Sequence, residues 1–164
     1  MPSMTMRAAL FVPPRSRGAL PADALTERSL SFLVRHAHRA FVIRLADRLL
    51  PYDISVAEWA VLRMLWQQEG LTQVSLAERM RVQKASLTSV LNSMERKGLM
   101  RRTRRGGDRR KRHLFLTARG RGVRATLLPI GIAINQHALA GIDAEHAALA
   151  ADVLEKLIAN LETP

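Results

Sequence analysis

Thirteen of the thirty residues from Glu95 to Arg124 are Lys or Arg, set against two acids, Glu95 and Asp108. That local balance of +11 accounts for nearly all of the chain's formal charge of +12, since the rest of the chain holds 13 basic and 12 acidic residues. Charge this localised makes a surface that faces a polyanion; charge serving solubility would be dispersed. Of the 26 basic residues 22 are Arg, whose planar guanidinium suits bidentate phosphate contacts and entry into DNA grooves. A GC-rich genome explains part of that ratio and none of the clustering.

Other chemistries lack their residues. There is no cysteine, which removes disulfides, thiolate metal sites and cysteine redox sensing. The five His are scattered, and the chain holds neither a His-Glu-x-x-His motif nor a glycine-rich phosphate loop. Asp143, Glu145 and His146 sit together as in any helix N-terminus. Catalysis, a metal site and a cofactor are therefore not expected. No apolar run reaches membrane-span length, and Pro13-Pro14 cut the apolar patch Ala8–Val12 short of a signal-peptide core. A cytoplasmic location is expected, with no membrane partner. Residues 1–22, with their Pro, Ser and Gly, read as a flexible arm.

The elements that must carry the basic stretch are mainly helical. From about Ala22 to Leu50, Leu30, Leu33, Val34, Ala37, Phe41 and Leu45 recur at threes and fours, and Pro51 ends the pattern. This helix is apolar on more than one side, as expected of one that also serves an oligomer interface. Ser55-Val-Ala-Glu58 is a capping box for a helix bearing Trp59, Leu62, Leu65 and Trp66 and closing at Gly70. Thr72 N-caps a short helix with Leu76, Ala77 and Met80 on its core side. A tight Arg81-Val82 connection leads to a helix from Gln83 to Lys97, ended by Gly98. A hairpin follows, with strands from Leu99 to Arg105 and from His113 to Thr117 and a Gly106-Gly107 turn supplying positive φ. Thr117 caps a helix that starts with Arg119, Arg121 and Arg124 and contains Pro129, which is expected to kink it. Asp143 caps the last helix, whose stripe of Leu154, Leu157, Ile158 and Leu161 has little left to cover it but a second subunit.

On the Gln83–Lys97 helix Leu87, Val90, Leu91 and Met94 fall within one core stripe. Ala85, Ser89, Asn92 and Arg96 lie opposite, flanked by Thr88 and Ser93, on a small, polar face without a carboxylate. Small residues let a helix approach a groove, and Ser, Thr and Asn bond to base edges or phosphates. A merely solvated face would mix Glu and Lys. Lys84, Ala85, Ser86, Thr88, Ser89, Asn92 and Arg96 are the candidate recognition-helix residues. Six of the seven residues from Asp108 to Leu114 are charged or His, a hairpin tip that repels itself unless it meets phosphate.

From Gly70 to Gly120 the run GLTQVSLAERM, VQKASLTSVLNSMERKGLMRR, GGDRRKRHLFLTARG resembles the winged helix-turn-helix core of MarR-family transcriptional regulators. The diagnostic pieces are Asp108-x-Arg110 and Leu116-Thr117-x-x-Gly120, with Gly98-Leu99 upstream at the family's distance, and helix order fits over about Ala24 to Leu161. The resemblance implies a mainly α fold with a small β-hairpin wing. Residues 1–22 form an arm, 23–50 a dimerisation helix, 51–117 the DNA-binding lobe and 118–162 the C-terminal dimerisation helices. It implies a triangular homodimer on double-stranded DNA, with Gln83–Lys97 in the major groove and a pseudo-palindromic operator whose half-sites lie one helical turn apart. Arg110, steadied by Asp108, would enter the minor groove, where negative potential concentrates. Arg109, Lys111 and Arg112 complete the wing site, Arg102, Arg104 and Arg105 supply phosphate contacts, and Arg119, Arg121 and Arg124 are phosphate clamps or simply solvated.

Three positions depart from the family pattern. Ser75 stands where the family usually has Glu, which removes a capping box after Thr72. Arg104-Arg105 replaces a usual Pro-Asp, and Pro129 is no family requirement. The resemblance further implies a small aromatic effector, such as an aromatic carboxylate, bound between the dimerisation helices and the DNA-binding lobe. Ser31–Phe41 looks like the subgroup in which first-helix Arg and His meet that carboxylate. Arg35, His38 and Arg39 would supply charge, with Trp59 or Trp66 as an aromatic wall, although such Arg and His more often sit in solvent or salt bridges and such Trp in cores. The function expected is a repressor released from its operator by ligand. The alternative is an architectural DNA-binding protein without sequence preference or effector.

Overall fold

The computed structural model describes residues 29–104 and 112–163. Element order is α1 (Leu30–Leu49), a single 3-10 turn (Leu50–Tyr52), α2 (Val56–Gln67), β1 (Leu71–Thr72), α3 (Gln73–Met80), α4 (Lys84–Arg96), β2 (Met100–Arg104), β3 (Arg112–Leu116), α5 (Ala118–Gly122), α6 (Arg124–Ala138) and α7 (Ala144–Glu162). The expected arm over residues 1–22 and the start of the first helix lie outside the described residues, as do Arg105, the Gly106-Gly107 turn, Asp108, Arg109, Arg110 and Lys111. Among the described residues no helix is long and apolar enough to cross a membrane.

The caps fall where side chains can satisfy the otherwise unpaired first N–H groups of each helix. Ser55 Oγ accepts from Glu58 N while Glu58 Oε2 accepts from Ser55 N at 2.8 Å, closing the capping box. Thr72 Oγ1 accepts from Ser75 N, and the Ser75 hydroxyl lies 2.9 Å from it. A hydroxyl pair thus stands where a Glu would have completed a box. Thr117 and Asp143 cap α5 and α7. Both α3 and α4 end in a Schellman turn. Leu99 N donates to Met94 O and Gly98 N to Glu95 O after α4, as Val82 N does to Ala77 O and Arg81 N to Glu78 O after α3. Gly98 takes the left-handed position at φ +66°, and at the end of α3 a non-glycine, Arg81, holds it at φ +54°.

Three expectations are corrected. The sheet has three strands in the order β1-β3-β2, because Leu71–Thr72 pairs antiparallel with Leu114 and His113; two residues are too few to show any periodicity. The helix after Ser55 ends at Gln67, three residues before Gly70, since Gln68 is extended. Gly70, at φ +79°, instead turns the chain into β1, where its N–H donates to Leu114 O. The helix after Thr117 is two helices, α5 and α6, meeting at Val123, and α6 runs through Pro129 to Ala138.

By chain contacts the molecule has two compact units, residues 36–135 and, among those described, 29–35 with 136–163. The first holds one continuous core in which Leu49, Leu62, Leu76, Leu91, Met94, Leu99, Leu116 and Leu127 are fully enclosed. In the second, α7 has no buried residue, and Leu149, Leu154, Ile158 and Leu161 are exposed.

Candidate functional site

Leu87, Leu91 and Met94 press one side of α4 into the core, which turns Lys84, Ala85, Ser86, Thr88, Ser89, Asn92 and Arg96 outward, all exposed. Both ends of the helix are fixed. At its start Gln73 Nε2 donates to Lys84 O and Thr88 Oγ1, both at 3.0 Å, tying α3 to α4. At its end Lys97 Nζ lies 3.0 Å from Glu58 Oε2, a carboxylate only 2 % exposed, and 3.2 Å from Asp53 Oδ1. Burial pushes the Glu58 pKa up, but the Ser55 N–H, the Ser93 hydroxyl and the Lys97 ammonium outweigh it and hold the carboxyl below its ordinary value. Burial likewise works against the Lys97 ammonium, and its bonds to Glu58 and Asp53 raise its pKa above the ordinary value. Ser93, which the sequence placed beside the outer face, turns inward to Glu58.

The outer edge of α4 does carry one carboxylate, Glu95, and it is neutralised by the sheet. Arg102 of β2 gives Nη1 to Glu95 Oε2, its backbone N–H to Glu95 Oε1, and Nη2 to Asn92 Oδ1 at 2.8 Å. Its side chain is 13 % exposed. Arg102, expected at a phosphate, thus turns both Nη groups to α4, while Arg104 and Arg112, paired across the hairpin, remain exposed. Arg119 Nη1 donates to Lys97 O at 2.7 Å, and Arg121 pairs with Glu69. These two arginines brace the frame, a role that charge counting along the sequence missed; Arg124 is exposed. The rest of the wing site, Asp108 to Lys111, and Arg105 lie outside the described residues.

Within residues 36–135 a cavity of about 370 Å³ opens between α1, α2 and α6, a size suited to a small molecule. His38, Phe41, Trp59, Arg63, Ile132 and Asn135 are among its lining. Of the sequence candidates, His38 and Trp59 belong to it. Arg39 and Trp66 are not among its lining residues, and the indole N–H of Trp66 donates instead to Gly120 O at 2.9 Å. Arg35 lies over the Phe32 ring, 5.9 Å from its centroid. The cation missed by sequence reasoning is Arg63, 4.9 Å over the Trp59 ring; its position four residues after Trp59, on the same face of α2, was the available signal. Gly131 forms part of the wall because a Cβ there would sit 2.6 Å from Trp59 Cζ2. Trp59 Nε1 is buried and has no hydrogen-bond partner among the described residues. Among the described residues no cluster of His, Cys, Asp or Glu can hold a metal ion.

A short helix, a tight turn, a second helix with a polar outer face and an antiparallel hairpin beside it define a winged helix-turn-helix, a DNA-binding class. The family model described as the MarR family matches residues 54–111. The transcriptional regulator HosA of Escherichia coli O127:H6 is 34 % identical over 106 residues, covering 65 % of this chain and 78 % of HosA. The solved structure of the transcriptional regulator PA3341 is 32 % identical with a TM-score of 0.75, covering 83 % of this chain and all of that one. BpsR of Bordetella bronchiseptica, whose DNA binding is regulated by 6-hydroxynicotinic acid, shares the fold at 21 % identity and a TM-score of 0.74, over 80 % of this chain and 94 % of its own. The chain belongs to the MarR family and is a DNA-binding transcriptional regulator.

Proposed function

We propose that this regulator is a repressor that binds a pseudo-palindromic operator as a homodimer and is released by a small aromatic carboxylate. The observation that carries the reading is the state of α4: locked at both ends, with seven outward residues that are small, polar or cationic. Such a face fits a major groove without reorganisation, and electrostatics supplies the affinity. Dimerisation is supported by the bare apolar residues of α7, which a second copy would cover. The effector reading is supported by the cavity, where Arg63 offers a cation for a carboxylate and Trp59 and Phe41 offer ring faces. A fold relative whose DNA binding answers to an aromatic acid, BpsR, is consistent with it. Following the resemblance, Arg110 steadied by Asp108 reaches the minor groove, and Arg104, Arg105, Arg109, Lys111 and Arg112 meet the backbone.

The test is binding to duplexes selected from a randomised library, compared with random duplexes, for the natural protein and Arg110→Ala. Selective binding, with Arg110→Ala lowering affinity and reducing the slope of log K against log salt by about 0.9 if a phosphate contact is lost, supports the reading. An unchanged affinity and slope removes Arg110 from the interface. Equal affinity for selected and random DNA at physiological salt makes the protein an architectural DNA binder instead.

A further inference from the structure

Asn92 is the one amide among the outward residues of α4, and its two ends are not equivalent. An amide can offer a base edge both a donor and an acceptor, the pair that matches adenine N7 and N6. Here Arg102 Nη2 lies 2.8 Å from the amide. A guanidinium has only donors, so the atom facing it must be the carbonyl oxygen. The guanidinium is anchored in turn by Glu95, which accepts from Arg102 Nη1 and from the Arg102 backbone N–H, and this fixes the orientation of the amide. One lone pair of Oδ1 is thereby held by a charged donor, which turns that oxygen toward Arg102, and the Asn92 NH₂, which has no partner among the described residues, is the half left to reach outward.

We infer that Arg102 is a specificity-determining positioning residue: it holds Asn92 as an outward donor, so that α4 selects a G·C pair, whose guanine edge offers two adjacent acceptors, at the base pair Asn92 meets. The paired adenine mode would need Oδ1 turned toward N6 as well, whereas guanine N7 and O6 need only the donor that Arg102 leaves outward. This rests on the reading that α4 enters a major groove. Arg102 then acts through Asn92 and touches no phosphate, so its loss alters base preference without altering the salt dependence.

The experiment selects binding sites from a randomised duplex library with the full-length natural protein, Asn92→Ala, Asn92→Asp and Arg102→Ala, and measures the salt slope on the winning duplex. The expected result is one position per half-site enriched in a G·C pair by the natural protein. Asn92→Ala loses that preference by about 3- to 10-fold, the worth of one hydrogen bond, and other positions are unmoved. Arg102→Ala blurs the same position while keeping the natural slope. Asn92→Asp retains the Arg102 pair, so it does not depend on Arg102→Ala folding. It replaces the outward donor with an acceptor and reverses the preferred pair, because cytosine N4 on the contacted strand now donates. An A·T pair in either orientation at the Asn92-dependent position overturns the inference, as does a preference untouched by Arg102→Ala with a slope reduced by about 0.9, which marks a phosphate contact. A natural protein that selects no sequence overturns the groove reading itself, whereas a selective protein with no Asn92-dependent position overturns only the inference.

Discussion

Lys97 and Glu58 join the C-terminal cap of α4 to the first turn of α2, Nζ to Oε2 at 3.0 Å. Glu58 is at once the capping-box carboxylate of α2, bonded to Ser55 N, and the acceptor for Lys97 and Ser93. One buried carboxylate therefore closes a local cap and sets where α4 ends. Lys97 in turn offers its carbonyl to Arg119 of α5. The end of α4 is defined by partners on two helices and by its own Schellman turn.

This junction makes stability sensitive to pH. The folded pKa of Glu58 is lowered, so its contribution is present above the unfolded value of about 4.3 and is lost as pH falls through the folded value. The folded pKa of Lys97 is raised, so its contribution is full below about pH 10.4 and is lost as pH rises through the folded value. Urea unfolding followed from pH 7 down to 3 is expected to show a steeper loss for the natural protein than for Glu58→Gln. Lys97→Met, which leaves the carboxylate buried with its Ser partners, is expected to cost about 2 kcal/mol at pH 7; the pair is at the low end for buried ion pairs because Lys97 keeps some solvent contact. Equal acid profiles for the natural protein and Glu58→Gln would remove Glu58 as the cause.

Two glycines of α5 should respond in opposite directions to the same change. A Cβ on Gly120 would lie against the Leu99 backbone carbonyl, 1.9 Å from its oxygen, whereas one on Gly122 would meet nothing. Gly120→Ala must push α5 away from Leu99, and is expected to destabilise by at least about 2 kcal/mol. Gly122→Ala is expected to stabilise by about 0.5 kcal/mol, less than at a helix interior because it ends α5. Thermal denaturation of the two variants measures both signs.

Legibility in the sequence followed the range of the interaction. Caps at Ser55, Thr72, Thr117 and Asp143 were readable because donor and acceptor lie three residues apart. The core side of α4 was readable because Leu87, Leu91 and Met94 repeat with the helix. What stayed hidden joins residues far apart in the chain: Lys97 to Glu58, Arg119 to Lys97, Trp66 to Gly120. Charge along the sequence marks Arg102 and Arg119 as equally available cations, and only the fold shows them spending their donors on α4 and its C-terminal cap. The cavity cation was missed likewise, since Arg63 is ordinary until Trp59 is seen beneath it.

Trp59 and Gly131 form a pair in which one residue exists to admit the other. With a Cβ at 131 only 2.6 Å from Cζ2 and 3.1 Å from Cη2 of the indole, Gly131→Ala has to displace the ring into the cavity. A net loss of about 1 kcal/mol is expected, overpacking being partly offset by the better helix propensity of Ala. Trp59→Phe removes the part of the ring that collides. The double variant should therefore be more stable than the sum of the single changes allows, an interaction that a double-mutant cycle on urea midpoints reads directly. Additive effects would mean that the ring is not what Gly131 accommodates.

Arg63 offers a test of the proposed effector response apart from DNA binding. It lines the cavity and lies over Trp59, away from the outward face of α4, so Arg63→Met should leave operator affinity within about twofold, as expected for a site that is not coupled in the absence of ligand. Its loss should weaken release by an aromatic carboxylate by about tenfold or more, the worth of a charge-assisted hydrogen bond. Uncharged analogues of the same ring should be affected far less, because they never used the cation. Titrating operator release with benzoate-type acids and their amides, for the natural protein and Arg63→Met, measures this. If the variant responds to the acids as the natural protein does, the carboxylate is held elsewhere. If neither protein responds while operator binding is selective, the regulator takes a ligand of another class.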